Sequence, residues 1–146
     1  MLRGRDIIMD KITPEHRSWN MSRIRSKDTS IEIMVRKYLF ALGFRFRKND
    51  KRFPGKPDVV LPKYKTVIFV NGCFWHMHQN CKQGRIPKSK VDYWKEKLER
   101  NVLNDRLHIQ KLSGMGWNSI ILWECELKED FEGVMEITVD KIVNKY

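Results

Sequence analysis

Eleven consecutive residues, Asn71–Cys81, read Asn-Gly-Cys-Phe-Trp-His-Met-His-Gln-Asn-Cys and hold two of the three cysteines and two of the four histidines. Cys73, His78 and Cys81 stand at C-x4-H-x2-C spacing. That places three soft or borderline donors within reach of one ion, the chemistry of a tetrahedral zinc centre. A fourth ligand must come from elsewhere, and Cys125 is the remaining cysteine. His76 lies in the same stretch, and spacing alone also permits it as a ligand. An odd number of cysteines interleaved with histidines points to a metal in a reducing compartment rather than to a disulfide framework.

Three acidic residues could do a different chemistry. Asp58 follows Pro57 at the start of an apolar run, where a carboxylate beside a strand-end carbonyl suits a hard cation such as Mg2+; a lone aspartate there is also an ordinary turn residue. Glu32 stands three residues after Thr29, the capping-box spacing, so it either closes a helix or serves a water in a cleft. Asp105 falls on the apolar stripe of a long helical pattern. An inward carboxylate must be paired with a base or be functional.

The elements that would position these groups follow from periodicity. Thr29 opens a helix with the stripe Ile31, Met34, Val35, Tyr38, Leu39 and Leu42, and Gly43 closes it. Phe44–Arg47 alternates as a first strand, and Lys48–Lys56 is a basic loop. Pro57–Leu61 and Thr66–Val70 read as two strands joined by a short turn, an antiparallel hairpin with Asp58 and the Val70–Asn71 peptide at one end. Lys82–Lys88 is a second basic loop. Ser89 is expected to cap a helix over 90–112 with Val91, Trp94, Leu98, Val102, Ile109 and Leu112 inward. Trp117–Cys125 reads as a strand ending at Cys125. If it lies parallel to Thr66–Val70, across the 90–112 helix as crossover, Cys125 meets Cys73 at one sheet edge and completes the ligand set. Phe131–Tyr146 reads as a terminal helix.

The 146 residues amount to one domain, carry a net charge of +11 and contain five tryptophans. A folded basic chain of this kind fits a polyanion, nucleic acid first. Its basic residues form no amphipathic tail, and no apolar run approaches a membrane span, so neither membrane nor secretory signal is expected and the cytoplasm is. Residues 1–8 stand apart as an upstream extension, with Met9 a possible start. The polar, basic stretch 9–28 reads as an arm. It either lies on DNA, with Trp19 or Met21 free to wedge between bases, or is a terminus without a fixed role.

Taken together, Pro54-Gly55-Lys56-Pro57-Asp58, Gly72-Cys73-Phe74-Trp75-His76, Asn101-Val102-x-x-Asp105 and Trp123-Glu124-Cys125 closely resemble the very-short-patch-repair (Vsr) DNA mismatch endonucleases, over about residues 18–127. The resemblance implies an α/β fold with a PD-(D/E)xK nuclease core, a mixed sheet flanked by helices, and a structural zinc site. It implies Asp58 as the main Mg2+ carboxylate with the Val70 carbonyl as partner, Glu32 acting through water, His76 as the proton-transfer residue and Asp105 in the same site. It implies Cys73, His78, Cys81 and Cys125 as the zinc ligands. Phe74, Trp75 and Trp94 match the aromatics that insert beside the mismatch, and Met21 matches a wedge from the opposite groove. Phe74-Trp75, lying between metal ligands in a loop, is expected to leave at least one ring exposed.

The family pattern has Thr-His where this chain has Val70-Asn71. Asn71 can hydrogen-bond at the catalytic centre but cannot carry a proton there. The zinc loop is also one residue longer. The function implied is a Mg2+-dependent monomeric endonuclease that nicks one strand of double-stranded DNA at T:G mismatches, linked to a cytosine-5 methyltransferase and to repair proteins. A nuclease of broader mismatch or restriction-type specificity is the alternative within the enzyme class. A zinc-containing DNA-binding module without catalysis is the alternative outside it, and an acidic cluster facing phosphate speaks against that one.

Overall fold

Helix α1, Ser30–Ala41, starts where the capping box places it: Glu32 N–H donates to Thr29 Oγ1 at 3.3 Å and the Thr29 hydroxyl donates to Glu32 Oε2 at 2.9 Å. A computed structural model describes residues 29–79 and 81–144 of the chain. The helix ends in a Schellman motif, with Gly43 at φ +97°, Gly43 N–H bonded to Phe40 O and Phe44 N–H bonded to Leu39 O. That closure corrects the strand expected over Phe44–Arg47. Phe44 completes the helix cap and is buried, and Arg47 makes the one bridge, to Val60.

Strands β1, Val59–Leu61, and β2, Thr66–Asn71, form the expected antiparallel hairpin around the 3-10 turn Pro62–Tyr64. Helix α2, Val91–Gly114, then crosses over to β3, Asn118–Trp123, which lies parallel to β2 with Asn71 opposite Trp123. The sheet order is β1-β2-β3. Lys90, in the left-handed region, precedes the first turn of α2, and no side chain caps it, so Ser89 does not play the role expected of it. A second difference follows β3. It stops at Trp123, and Cys125 stands in the first turn of a short helix α3, Glu124–Glu129. Six residues with one buried apolar side chain, Leu127, carry too little periodicity to announce a helix. Helix α4, Phe131–Val143, is capped by Asp130, whose Oδ1 accepts from Gly133 N–H at 3.0 Å.

Alternation along β2 divides the core into two layers. Ile68, with Val59, Leu61, Ile120 and Leu122, packs against α1, α3 and α4 through Ile31, Val35, Leu39, Leu127, Met135 and Ile142. On the opposite face Val60 and Val67 meet Leu112 of α2, walled by Phe53, Phe69 and Trp117. Helix α2 thus lies along the face of β2 that also presents Asn71. Among the described residues no helix is long and apolar enough to cross a membrane.

Candidate active site and metal centre

The parallel pairing of β2 and β3 brings both strand ends to one edge, and the cysteines meet there. Ligand atoms of Cys73, His78, Cys81 and Cys125 all lie within 4.8 Å of one another. His78 Nδ1 is 3.6 Å from Cys73 Sγ and 3.3 Å from Cys125 Sγ. A tetrahedral zinc with bonds of about 2.3 Å to sulfur and about 2.0 Å to nitrogen has ligand separations of about 3.6–3.8 Å, so the cluster fits such an ion. The loop is shaped for it: His78 N–H bonds Cys73 O at 3.0 Å, and Met77 takes a positive φ of +48°. Gly84 packs so closely on the His78 main chain that a Cβ there would collide with it. The His78 ring stacks on Trp123, 4.0 Å between centroids and 8° between planes. Burial pushes the Cys73 thiol up to about 12 and raises Cys125, whereas hydrogen bonding from the Gln83 main chain lowers Cys81. A cation is what would draw the protons off this group.

His76 stands outside that cluster. Its Nδ1 lies 2.5 Å from Asp105 Oδ2, a half-exposed pair joining the β2 loop to α2. Asp105 on the inward stripe of α2 therefore has a histidine partner. One turn earlier, Asn101 donates to the Trp75 carbonyl at 3.2 Å. On the sheet side, buried Asn71 lines a small cavity with Phe69, Asp105, His108, Ile109 and Ile121.

Asp58 makes the second half of the site. Its Oδ2 accepts from Val70 N–H at 2.6 Å, so the hairpin puts the carboxylate at the strand end expected; the contact is made by the Val70 amide. Glu32 is buried nearby, with Oε2 held by Thr29 and Oε1 paired with Arg36 at 3.3 Å. Arg36, also buried, donates from Nε to Asp58 O at 3.2 Å and from Nη2 to Asn49 Oδ1 at 3.4 Å. Burial, with Glu32 beside it, pushes the Asp58 carboxyl up to about 8, against the lowering effect of the Val70 amide and the Arg36 charge.

The aromatics gather around the start of α2. Phe74 meets Trp75 edge-on at 5.0 Å and Trp94 at 5.4 Å, and Trp75 meets Trp94 at 6.0 Å. Trp94 is buried, whereas Phe74 and Trp75 are half-buried. Lys97 Nζ lies 5.7–5.9 Å from the Trp75, Tyr93 and Trp94 rings, adding positive charge to this surface. Met21 lies outside the described residues.

The fold therefore brings Asp58 together with Val70 and Glu32, His76 with Asp105, and Asn71 with Asp105. Arg36, Lys97 and His108 escaped the sequence reading. Arg36 did leave a signal, a charge four residues after Glu32 on the buried side of a helix. His108 left one as well, three residues beyond Asp105 on the same stripe.

Comparison with known proteins identifies relatives of the chain. A family model described as DNA mismatch endonuclease Vsr matches residues 9–83. The type II nicking enzyme V.NmeAIP of Neisseria meningitidis is 52% identical over 119 residues, covering 82% of this chain and 84% of that one. The type II nicking enzyme V.XorIIP of Xanthomonas oryzae is 43% identical over 82% of this chain and 88% of its own. The DNA mismatch endonuclease Vsr of Escherichia coli is 41% identical over 83% of this chain and 75% of its own.

Proposed function

This chain belongs to the Vsr family of DNA mismatch endonucleases, and on that premise we propose that it nicks one strand of duplex DNA at a T:G mismatch, using Mg2+ held at Asp58. The observation that carries the reading is the meeting of two kinds of group at the end of β2. Asp58 reaches it through the Val70 amide, and the His76–Asp105 pair reaches it from α2.

Asp58 is the carboxylate that would hold Mg2+, with the Val70 carbonyl as its partner. When bound, Mg2+ offsets charge on the phosphate oxygens and lowers the pKa of the attacking water. Glu32 has an oxygen committed to Thr29 and the other to Arg36, which suits it to orienting water rather than to binding the ion directly. His76 is the proton-transfer residue. Asp105 engages Nδ1, so Nε2 is the nitrogen left for a proton at the scissile phosphate, and the carboxylate supports the charged imidazole. Asn71 would hydrogen-bond in the same centre. Cys73, His78, Cys81 and Cys125 would hold a structural zinc, whose neighbours fix the loop carrying His76. Phe74, Trp75 and Trp94 are the groups we assign to stacking beside the mismatch, with Met21 opposite. A mispaired step is cheaper to unstack than a regular one, where the cost is a few kcal/mol.

In this reading the core is of the PD-(D/E)xK type, with Pro57-Asp58 as its first element. The monomer works in the cytoplasm on T:G pairs left by deamination of 5-methylcytosine, which couples it to a cytosine-5 methyltransferase and to repair proteins. The test is Asp58→Ala in a nicking assay with Mg2+. The expected outcome is a protein that still folds and a loss of cleavage by about 10^2–10^3-fold or more, in the range of removing a major electrostatic contribution to catalysis. Cleavage retained by the folded variant would contradict the assignment.

A further inference from the structure

Three polar side chains punctuate the inward stripe of α2 at 101, 105 and 108, and the first two have clear partners. Asn101 holds the Trp75 carbonyl and Asp105 holds His76. His108 has no part in the chemistry assigned above, yet it sits between the two halves of the site. On one side it lines, with Asn71 and Asp105, a cavity of about 10 Å3. On the other its ring lies directly against Gly55 in the loop that leads into Asp58. A Cβ at Gly55 would stand 2.9 Å from His108 Nδ1, 3.1 Å from His108 Cγ and 3.0 Å from Phe69 Cε1. Gly55 also has a φ of +79°, so this position needs glycine for its backbone and for its close approach.

We propose that His108 is a positioning residue, which sets the Gly55–Asp58 segment against α2 and so fixes the metal carboxylate relative to the His76–Asp105 pair. The physical reason is the shortness of the connection. Only Lys56 and Pro57 separate Gly55 from Asp58, so a shift of Gly55 on the imidazole is passed to the carboxylate with little slack. Val70 N–H fixes one end of that carboxylate, and Arg36 fixes the Asp58 main chain from α1. The contact at His108 is the brace from the helix that carries Asp105. Direct hydrogen-bond partners of a metal ligand are worth about 10–100-fold in affinity, and a brace acting through Gly55 is expected at the low end of that range.

The proposal rests on Asp58 as the metal carboxylate, and the experiment separates the two ideas. Full-length protein, Gly55→Ala, His108→Ala, the double variant, His108→Gln and Asp58→Ala would be compared in three measurements. These are Mn2+ binding by electron paramagnetic resonance without DNA, melting temperature, and single-turnover nicking. His108→Ala is expected to bind Mn2+ about tenfold more weakly with its melting little changed, and His108→Gln to recover most of the loss. Gly55→Ala is expected to lower the melting temperature less in the His108→Ala background than alone, because the collision with the ring is gone. Wild-type Mn2+ affinity in His108→Ala, or additive effects of the two substitutions on melting, would overturn the proposal. Unaltered Mn2+ binding and nicking in Asp58→Ala would instead remove the metal assignment, while the melting cycle still decides whether His108 braces Gly55.

Discussion

Asp58 carries a burden that its own environment resists. It is sunk beside Glu32, and burial holds its carboxyl up at about 8 rather than at its ordinary 3.8. Its sign in folding is therefore the reverse of a salt-bridged aspartate. The unfolded chain gives up this proton near pH 4 and the metal-free folded chain keeps it to about pH 8. Across that window the folded state binds more protons, so the Asp58 contribution to stability falls as pH rises from about 4 to about 8 and is flat above. A cation reverses the preference by taking the place of the proton. Mg2+ binding is thus expected to release a proton at pH 7 and to strengthen with pH until about 8. Titration calorimetry in buffers of different ionisation enthalpy measures this, and binding without proton release at pH 7 would contradict it. Arg36 works the other way: its buried guanidinium pairs with Glu32 and donates to the Asp58 main-chain carbonyl, and its charge opposes the rise of the Asp58 carboxyl.

The elements divide the work between a rigid strand pair and a polar helix. Parallel pairing of β2 with β3 carries Cys73 and Cys125 to the same edge, and α2 supplies Asp105 to His76 across it. Cys125→Ser should therefore lower zinc content and melting together, by about 10 °C or more if the ion contributes several kcal/mol to this fold. Normal zinc content with normal melting would remove Cys125 from the ligand set. Much of this was legible in the chain. The Thr29 capping box, the β1–β2 hairpin, the parallel neighbour and the crossover helix all follow from periodicity and turn residues. What was not legible depends on contacts distant in sequence or on very short elements. Phe44 reads as a strand residue by alternation, but the Schellman closure claims its N–H. Helix α3 is too short to show a stripe. Arg36 and His108 carried only a positional signal, and their partners, Glu32 and Gly55, become visible once α1 and α2 are laid on the sheet.

At the scale of the whole molecule, charge and chemistry make separate contributions to the proposed activity. The net charge of +11 supplies attraction to duplex DNA that depends on salt rather than on sequence. On the proposed reading, specificity comes from the half-buried Phe74 and Trp75, which pack on buried Trp94 and are flanked by Lys97. In that proposal the half-buried loop rings would exchange packing with one another for packing on bases. The Cys/His cluster on one side and α2 on the other hold the segment from which both these rings and His76 project. In the proposed activity recognition and cleavage therefore share one loop, so that a duplex unable to accept the rings would leave the imidazole away from the phosphate. The most direct measurement is a strand-labelled nicking assay with Mg2+, comparing T:G duplexes in several flanking contexts with other mismatches and with matched DNA. The account predicts a nick in the thymine-bearing strand of T:G duplexes, at least about tenfold faster than on any other substrate, the discrimination expected of a penalty above about 1.4 kcal/mol. Equal cleavage of matched and T:G duplexes would contradict it.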